Sequence, residues 1–285
     1  MDGPLKWHGG KHYLAPRIVE LMPPRCKNPN APSPDDPGYI HYVEPYFGGG
    51  SVLLANSPEG ISEVANDING RLTCFWSVLQ DEEYFRKFYR RITATPFSQE
   101  EYTVSTIAED CWQQLDPDEA AAEFFTHCRQ SLSGRMDTFA SISRNRTRRG
   151  MNEQVAAWLT TIDGLPEVHA RMKRVLILNR PALEVIATQD GPRTLFYLDP
   201  PYMHETRTTT GEYGAHEMSV EDHRRLLMAC SEIKGRFMLS GYANLLYDDF
   251  AKKYKWTRHE FELPNNAAGG KEKRRMIECL WCNFP

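Results

Sequence analysis

Apolar runs of strand length, ending in sharp turns that feed helical segments, constrain this chain more than any other feature. Tyr39–Glu44 runs into Gly48-Gly49-Gly50, and Ser51–Asn56 has the pattern of an opening helix. Ile61–Ala65 is a second strand, ending at Asn66-Asp67-Ile68-Asn69, and a helix follows through Leu72, Phe75, Val78 and Leu79. Strands that alternate with helices need crossover connections, and crossovers give a parallel sheet. From about Asp81 to Ile162 the character changes to charged, helical sequence without strand alternation, which predicts an inserted helical subdomain. Sheet character returns at Val175–Leu178, Thr194–Leu198, Arg236–Ser240 and Met276–Cys282, with helices expected at 13–22, 183–186, 220–233 and 245–254. The chain divides on this basis into 1–80, an insert at 81–165, and 166–285.

A chain of 285 residues with 41% hydrophobic content can bury the core of one large α/β domain with an insertion. No apolar run is long enough to span a membrane. Met1 to Lys11 is polar and glycine-rich rather than a secretion signal, so a cytoplasmic location is expected. The net charge of −4 gives no general attraction to nucleic acid, but phosphate contacts need only a local basic patch. Seven scattered cysteines form no disulfide framework. Cys279 and Cys282 have CxxC spacing, yet no second pair completes a tetrahedral site, and they read as part of a buried strand. No metal is expected. Trp76, Trp112 and Trp158 sit in helical patterns and read as core.

Three motifs carry chemistry. After the first strand, Glu44-Pro45-Tyr46-Phe47-Gly48-Gly49-Gly50-Ser51 lets backbone approach a ligand closely. Asp67 ends the next strand, where such sheets place the acid that binds ribose hydroxyls; the competing role is capping of the following helix. The spacing is neither a dinucleotide fingerprint nor a Walker loop, and fits a nucleoside without a pyrophosphate. Second, Asp199-Pro200-Pro201-Tyr202 follows an apolar strand. The carboxylate and a proline carbonyl are two acceptors converging on one point, which an NH₂ group meets with two donors. Tyr202 adds a face for a planar base. Third, Ser143-Arg144-Asn145-Arg146-Thr147-Arg148-Arg149-Gly150 holds four arginines without an acid, suited to phosphate and guanine.

The chain resembles the Dam-type (D12 class) DNA adenine methyltransferases. Lys6-Trp7-His8-Gly9-Gly10-Lys11 resembles their N-terminal element, Glu44–Ser51 their glycine-rich turn and Asp67-Ile68-Asn69 their D-I-N. Asp199–Tyr202 is similar to their D-P-P-Y, and Leu239–Asn244 resembles a later strand end. The resemblance implies a Rossmann-like methyltransferase fold with a mixed, mainly parallel seven-stranded sheet. It also implies S-adenosyl-L-methionine as methyl donor, DNA as substrate, and a restriction endonuclease as a candidate partner.

By the same resemblance Trp7, Gly10, Lys11, Phe47, Gly48, Gly49, Gly50, Ser51, Asp67 and Asp199 line the donor site, with Asn179 and Arg180 near its adenine. Asp199, Pro200, Pro201 and Tyr202 hold the target base. Arg144, Asn145, Arg146, Arg148 and Arg149 contact DNA from the insert, which becomes the target-recognition part. This arginine segment departs from the aromatic-Asn pair of the Dam proteins. The residues alone leave open N6 of adenine, N4 of cytosine, or a nucleic-acid-binding protein with an inactive methyltransferase fold.

Overall fold

Apolar and aromatic runs form the strands: the run ending at Glu44 stops just before Pro45 and the run ending at Leu198 just before Asp199-Pro200, whereas the run from Arg236 continues through Gly241 to Tyr242. A computed structural model gives β1 (His41–Glu44), β2 (Ser62–Asn66), β3 (Thr147–Arg148), β4 (Met151–Asn152) and β5 (Val175–Leu178). Further along lie β6 (Thr194–Leu198), β7 (Arg236–Tyr242), β8 (Thr257–Leu263) and β9 (Met276–Cys282). The structure describes residues 1, 3–7, 9–28, 38–107, 111–140, 146–203, 217–263 and 276–285. The main sheet is seven-stranded, in the order β5-β2-β1-β6-β7-β9-β8. Parallel pairing of β1 with β2 and β6, and of β6 with β7, makes it mainly parallel; β9 is antiparallel to both β7 and β8. This is the mixed, mainly parallel seven-stranded sheet expected from the sequence.

The chain forms two compact units. The first comprises Met1–Leu21, Gly48–Ser57 and Asn69–Asn179, so the helical segment expected over 81–165 folds with the N-terminus and the glycine turn. Its helices are α1 (Ala15–Glu20), α2 (Ser51–Ala55), α3 (Gly70–Gln80), α4 (Glu82–Ala94), α5 (Gln99–Ile107), α6 (Pro117–Gln130) and α7 (Glu153–Met172). The core is aromatic: Phe75 stacks on Phe125 at 5.9 Å and meets Phe88 edge-on at 6.0 Å, with Trp76 and Trp158 buried nearby in the chain's helices. Trp112 departs from expectation: it stands in a single 3-10 turn, half-buried, outside this core. The insert also contains the β3–β4 hairpin, which two-residue strands are too short to announce by periodicity.

The second unit comprises Met22–Phe47, Pro58–Ile68 and Arg180–Pro285. It adds α8 (Ala182–Gln189), α9 (Val220–Glu232, opened by a Ser219–Asp222 capping box) and α10 (Leu245–Tyr254). β6 is buried along its whole length, as a central parallel strand should be. β8 was absent from the sequence expectations, because Thr257-Arg258-His259-Glu260 is a polar edge strand whose charges guard its outer side. Cys279 and Cys282 lie in β9 as expected, buried and three positions apart, hence on opposite faces. Burial pushes their thiols up to about 11 and about 12, which leaves them inert at neutral pH. Among the described residues, no helix is long and apolar enough to cross a membrane.

Candidate active site

The end of β6 is the first place to build from. β1 has β2 on one side and β6 on the other, with Val43 opposite Phe196, so the strand order reverses between β1 and β6. Ligands of open α/β sheets bind outside the carboxyl ends of strands at such a point. Asp199 follows β6 there, half-buried, with Pro200 buried and Pro201 half-buried behind it. The two prolines fix φ and carry no N–H, so neither adds a backbone donor that would compete for the turn's acceptors. The Tyr202 hydroxyl donates to Glu278 Oε1 at 2.6 Å, and its ring meets Tyr242 edge-on at 4.9 Å. Burial foremost, then the Asp199 and Glu278 carboxylates, push the Tyr202 hydroxyl well above its ordinary range, so it is a donor at any working pH. Beneath lies a further buried pair, Tyr197 and Ser240, 2.9 Å apart.

Asn66 organises the neighbouring turn of the same unit. Its Nδ2 donates to the Pro45 carbonyl at 2.9 Å and the Arg180 carbonyl at 3.0 Å, and its Oδ1 accepts from Arg180 N at 2.9 Å. Phe47 N donates to the Asn66 carbonyl at 2.8 Å. A single buried amide thus joins the ends of β1 and β2 to the Arg180 backbone, and Asp67 emerges half-buried from that junction. The following helix is capped by Asn69, whose Oδ1 accepts from Arg71 N and Leu72 N at 3.1 Å each. Helix capping, the competing role for Asp67, is filled by another residue.

In the first unit, the N-terminal element and the glycine turn form a cradle. A Cβ on Gly48 or Gly49 would come within 2.7 Å of Trp7, so these positions need glycine for the indole to pack. Gly48 and Gly50 also take φ of 51° and 68°, the left-handed region. The Trp76 indole donates to the Gly48 carbonyl at 3.0 Å from below. Lys11 is 95% enclosed, at 5% exposure, and its ammonium donates to the Gly9 carbonyl at 2.8 Å. A zwitterionic nucleoside needs a cation for its carboxylate and an acid for its ribose. Lys11 carries the first of these chemistries and Asp67 the second, so the donor set present suits such a molecule.

The arginine segment is a hairpin. Thr147 pairs with Asn152 and Arg148 with Met151. Arg149 and Gly150 form the tip at φ of 56° and 73°, the primed turn that suits a two-residue hairpin. Residues 146–150 are all exposed. Arg146 faces Glu153 at 3.7 Å, so it is not the acid-free cation its immediate sequence suggested. Arg144 and Asn145 lie outside the described residues. Beside the hairpin, a cavity of about 400 Å³ is lined by Lys6, Ser133, Arg148, Glu153 and Gln154 over Leu132, Ala140 and Ala157. Lys6 Nζ donates to Gln154 Oε1 at 3.0 Å; burial, aided by Arg129, lowers its ammonium to about 8.

The family model of the D12 class N6 adenine-specific DNA methyltransferases matches residues 7–263, nearly the whole chain. The chain belongs to that family. The methyltransferase is 24% identical to the Type II methyltransferase M1.LlaDCHI of Lactococcus lactis subsp. cremoris, over 98% of this chain and 94% of the relative. It is 23% identical to the Type II methyltransferase M.MjaIII of Methanocaldococcus jannaschii, over 98% of both chains. Family membership selects adenine N6 over cytosine N4, and an enzyme over an inactive relative.

Sequence reasoning about the methyltransferase missed Glu278, Tyr242 and Asn66. Asn66 stood beside the promoted Asp67 and carried the usual signal of a polar residue at a strand end. Glu278 carried one too: it is a lone carboxylate in the apolar run Met276-Ile277-Glu278-Cys279-Leu280-Trp281. Asn179 and Arg180 are exposed, and of the two it is the Arg180 backbone that the structure ties to the strand ends.

Proposed function

We propose that this adenine-N6 DNA methyltransferase takes its methyl group from S-adenosyl-L-methionine and activates the target amine with Asp199 and the Pro200 carbonyl. The observation that carries the reading is the position of Asp199-Pro200-Pro201-Tyr202, at the strand-order reversal and with Tyr202 held by Glu278. When bound, the donor supplies an electrophilic methyl on a sulfonium. The chain's own task is the nucleophile. An aromatic amine is weak because its lone pair is spread into the ring. Acceptance of both N–H bonds, by the Asp199 carboxylate and the Pro200 carbonyl, draws the nitrogen toward tetrahedral geometry and localises that pair. These bonds strengthen as positive charge grows on nitrogen, so they favour the transition state over the ground state. Pro201 holds the turn, and Tyr202 offers the face against which the extruded base stacks. Extrusion from the duplex costs a few kcal/mol.

For the donor, Lys11 is assigned to the carboxylate and Asp67 to the ribose hydroxyls. Trp7, Gly10, Phe47, Gly48, Gly49, Gly50 and Ser51 shape the pocket walls, and the Asn179–Arg180 segment faces the adenine. For DNA, the insert over 81–165 reads the target, with Arg146, Arg148 and Arg149 on the hairpin contacting phosphates or guanine. The Type II names of both relatives support a restriction-modification setting with a partner endonuclease, and a DNA substrate goes with a cytoplasmic location.

The donor assignment is tested by calorimetry with S-adenosyl-L-methionine. Asp67→Ala should weaken binding by about 1–3 kcal/mol, the cost of leaving hydroxyls unpaired. Unchanged affinity removes Asp67 from the site.

A further inference from the structure

Glu278 is a buried carboxylate, 2% exposed, in the middle of an otherwise apolar strand. Burial of such a group is costly unless it is hydrogen-bonded, so its place in β9 calls for a physical reason. Its bond from Tyr202 spans the sheet: 76 residues separate the two in sequence. At 2.6 Å it lies in the short range of charge-assisted O–H···O⁻ bonds. Glu278 is also the cross-strand partner of Tyr242, whose ring meets Tyr202 at 79°. One register position of the β7–β9 pair therefore supplies two restraints on Tyr202, one polar at the hydroxyl and one aromatic at the ring edge.

The proline pair before Tyr202 fixes the backbone up to the ring but leaves the side-chain torsions to be set by packing. Tyr242 meets the ring edge-on at 4.9 Å. The hydroxyl bond to Glu278 fixes the far end of the ring's long axis, and the Tyr242 edge contact acts on rotation about that axis. Tyr42 and Glu44 offer a contrast. They make a similar bond at 2.7 Å, but two positions apart on β1, where neighbours on one strand face meet without any long-range pairing.

We infer that Glu278 is a positioning residue for methyl transfer: by accepting the Tyr202 hydroxyl it fixes the axis of the ring against which the target adenine stacks. The inference rests on the proposed reading of Tyr202 as the base-stacking wall. A misplacement of about 1 Å at a reacting pair costs about 10²-fold in rate, so loss of this restraint should appear in the chemical step rather than in binding.

The test uses the full chain, unmethylated genomic DNA and single-turnover N6-methyladenine formation, with DNA and donor affinities and unfolding midpoints measured on the same variants. Glu278→Leu should slow the step by about 10- to 100-fold with affinities unchanged. Glu278→Gln keeps an acceptor oxygen in place and should recover most of the rate. Tyr202→Phe removes the same bond from the other side and should slow the step as Glu278→Leu does. The double variant Tyr202→Phe/Glu278→Leu should be no slower than the worse single one, because one interaction is lost only once. Should Glu278→Leu fail to fold, Tyr202→Phe and Glu278→Gln carry the comparison. A wild-type rate for Glu278→Leu or Tyr202→Phe, or losses that multiply in the double variant, overturns the inference. Tyr202→Ala separates the two layers. If it is slow while Glu278→Leu is not, only the positioning role falls. If it is as fast as the wild type, the stacking wall itself falls.

Discussion

The end of β6 and the tip of the β3–β4 hairpin both gather polar groups, and they are built in opposite ways. At Asp199–Tyr202 the groups are half-buried or buried, the backbone is pinned by two prolines, and the aromatic ring is held at hydroxyl and edge. At Arg146–Gly150 every residue is exposed, and Arg146 meets Glu153 at a long 3.7 Å. Buried, pre-oriented acceptors lose no reorganisation energy when charge develops, which is what a chemical step needs. Exposed guanidiniums keep their freedom and act through counterion release, which is what non-specific affinity needs. On the proposed reading, the same molecule separates rate from binding by burial.

Substitutions at the two regions should break along that line. The largest effect is expected at Asp199. Asp199→Asn keeps the shape but turns one acceptor into a donor, and the transfer rate should fall about 10²–10³-fold with DNA affinity unchanged. At the hairpin the pattern inverts. Arg146→Ala with Arg148→Ala should weaken DNA binding and lower the slope of log affinity against log salt by about 0.9 per lost phosphate contact. The single-turnover rate at saturating DNA should stay at the wild-type value. The same affinity and slope would make the hairpin a solvated surface, and a lost rate would erase the contrast.

The smallest effect belongs to the cavity beside the hairpin. Lys6 titrates at about 8 in the folded protein because burial disfavours its charge, against an ordinary value of 10.5. Between those values the unfolded chain binds more protons, so the Lys6 contribution to stability rises with pH through that window and is flat below it. Lys6→Met removes the titration. Its unfolding free energy should lose that rise relative to wild type in denaturant melts run from pH 7 to 10. Parallel curves would mean that the ammonium is solvated.

The parts legible in the sequence are those set by local backbone chemistry. Pro200 and Pro201 fix φ whatever surrounds them, and Gly48 and Gly50 admit the left-handed region that other residues avoid, so the strand ends and turns were readable. What escaped was set by pairing at a distance. Glu278 gains its meaning only when β9 is laid beside β7 in the register that places it opposite Tyr242. β8 escaped because an edge strand is polar on its open side, and the hairpin because two residues per strand show no period. Asn69, rather than Asp67, caps α3 for a reason of one-residue geometry: only the residue just before Gly70 can reach Arg71 N and Leu72 N.

The central claim is that the Asp199 carboxylate accepts from the amine being methylated. Single-turnover methylation by Asp199→Asn tests it most directly. DNA should be set at saturation from the variant's own binding curve, the unfolding midpoint should be measured alongside, and the product should be read as nucleosides by mass spectrometry. The account predicts saturable binding, an unchanged midpoint, and N6-methyladenine formed about 10²–10³ times more slowly than by the wild type. Formation of N6-methyladenine at the wild-type rate would contradict it.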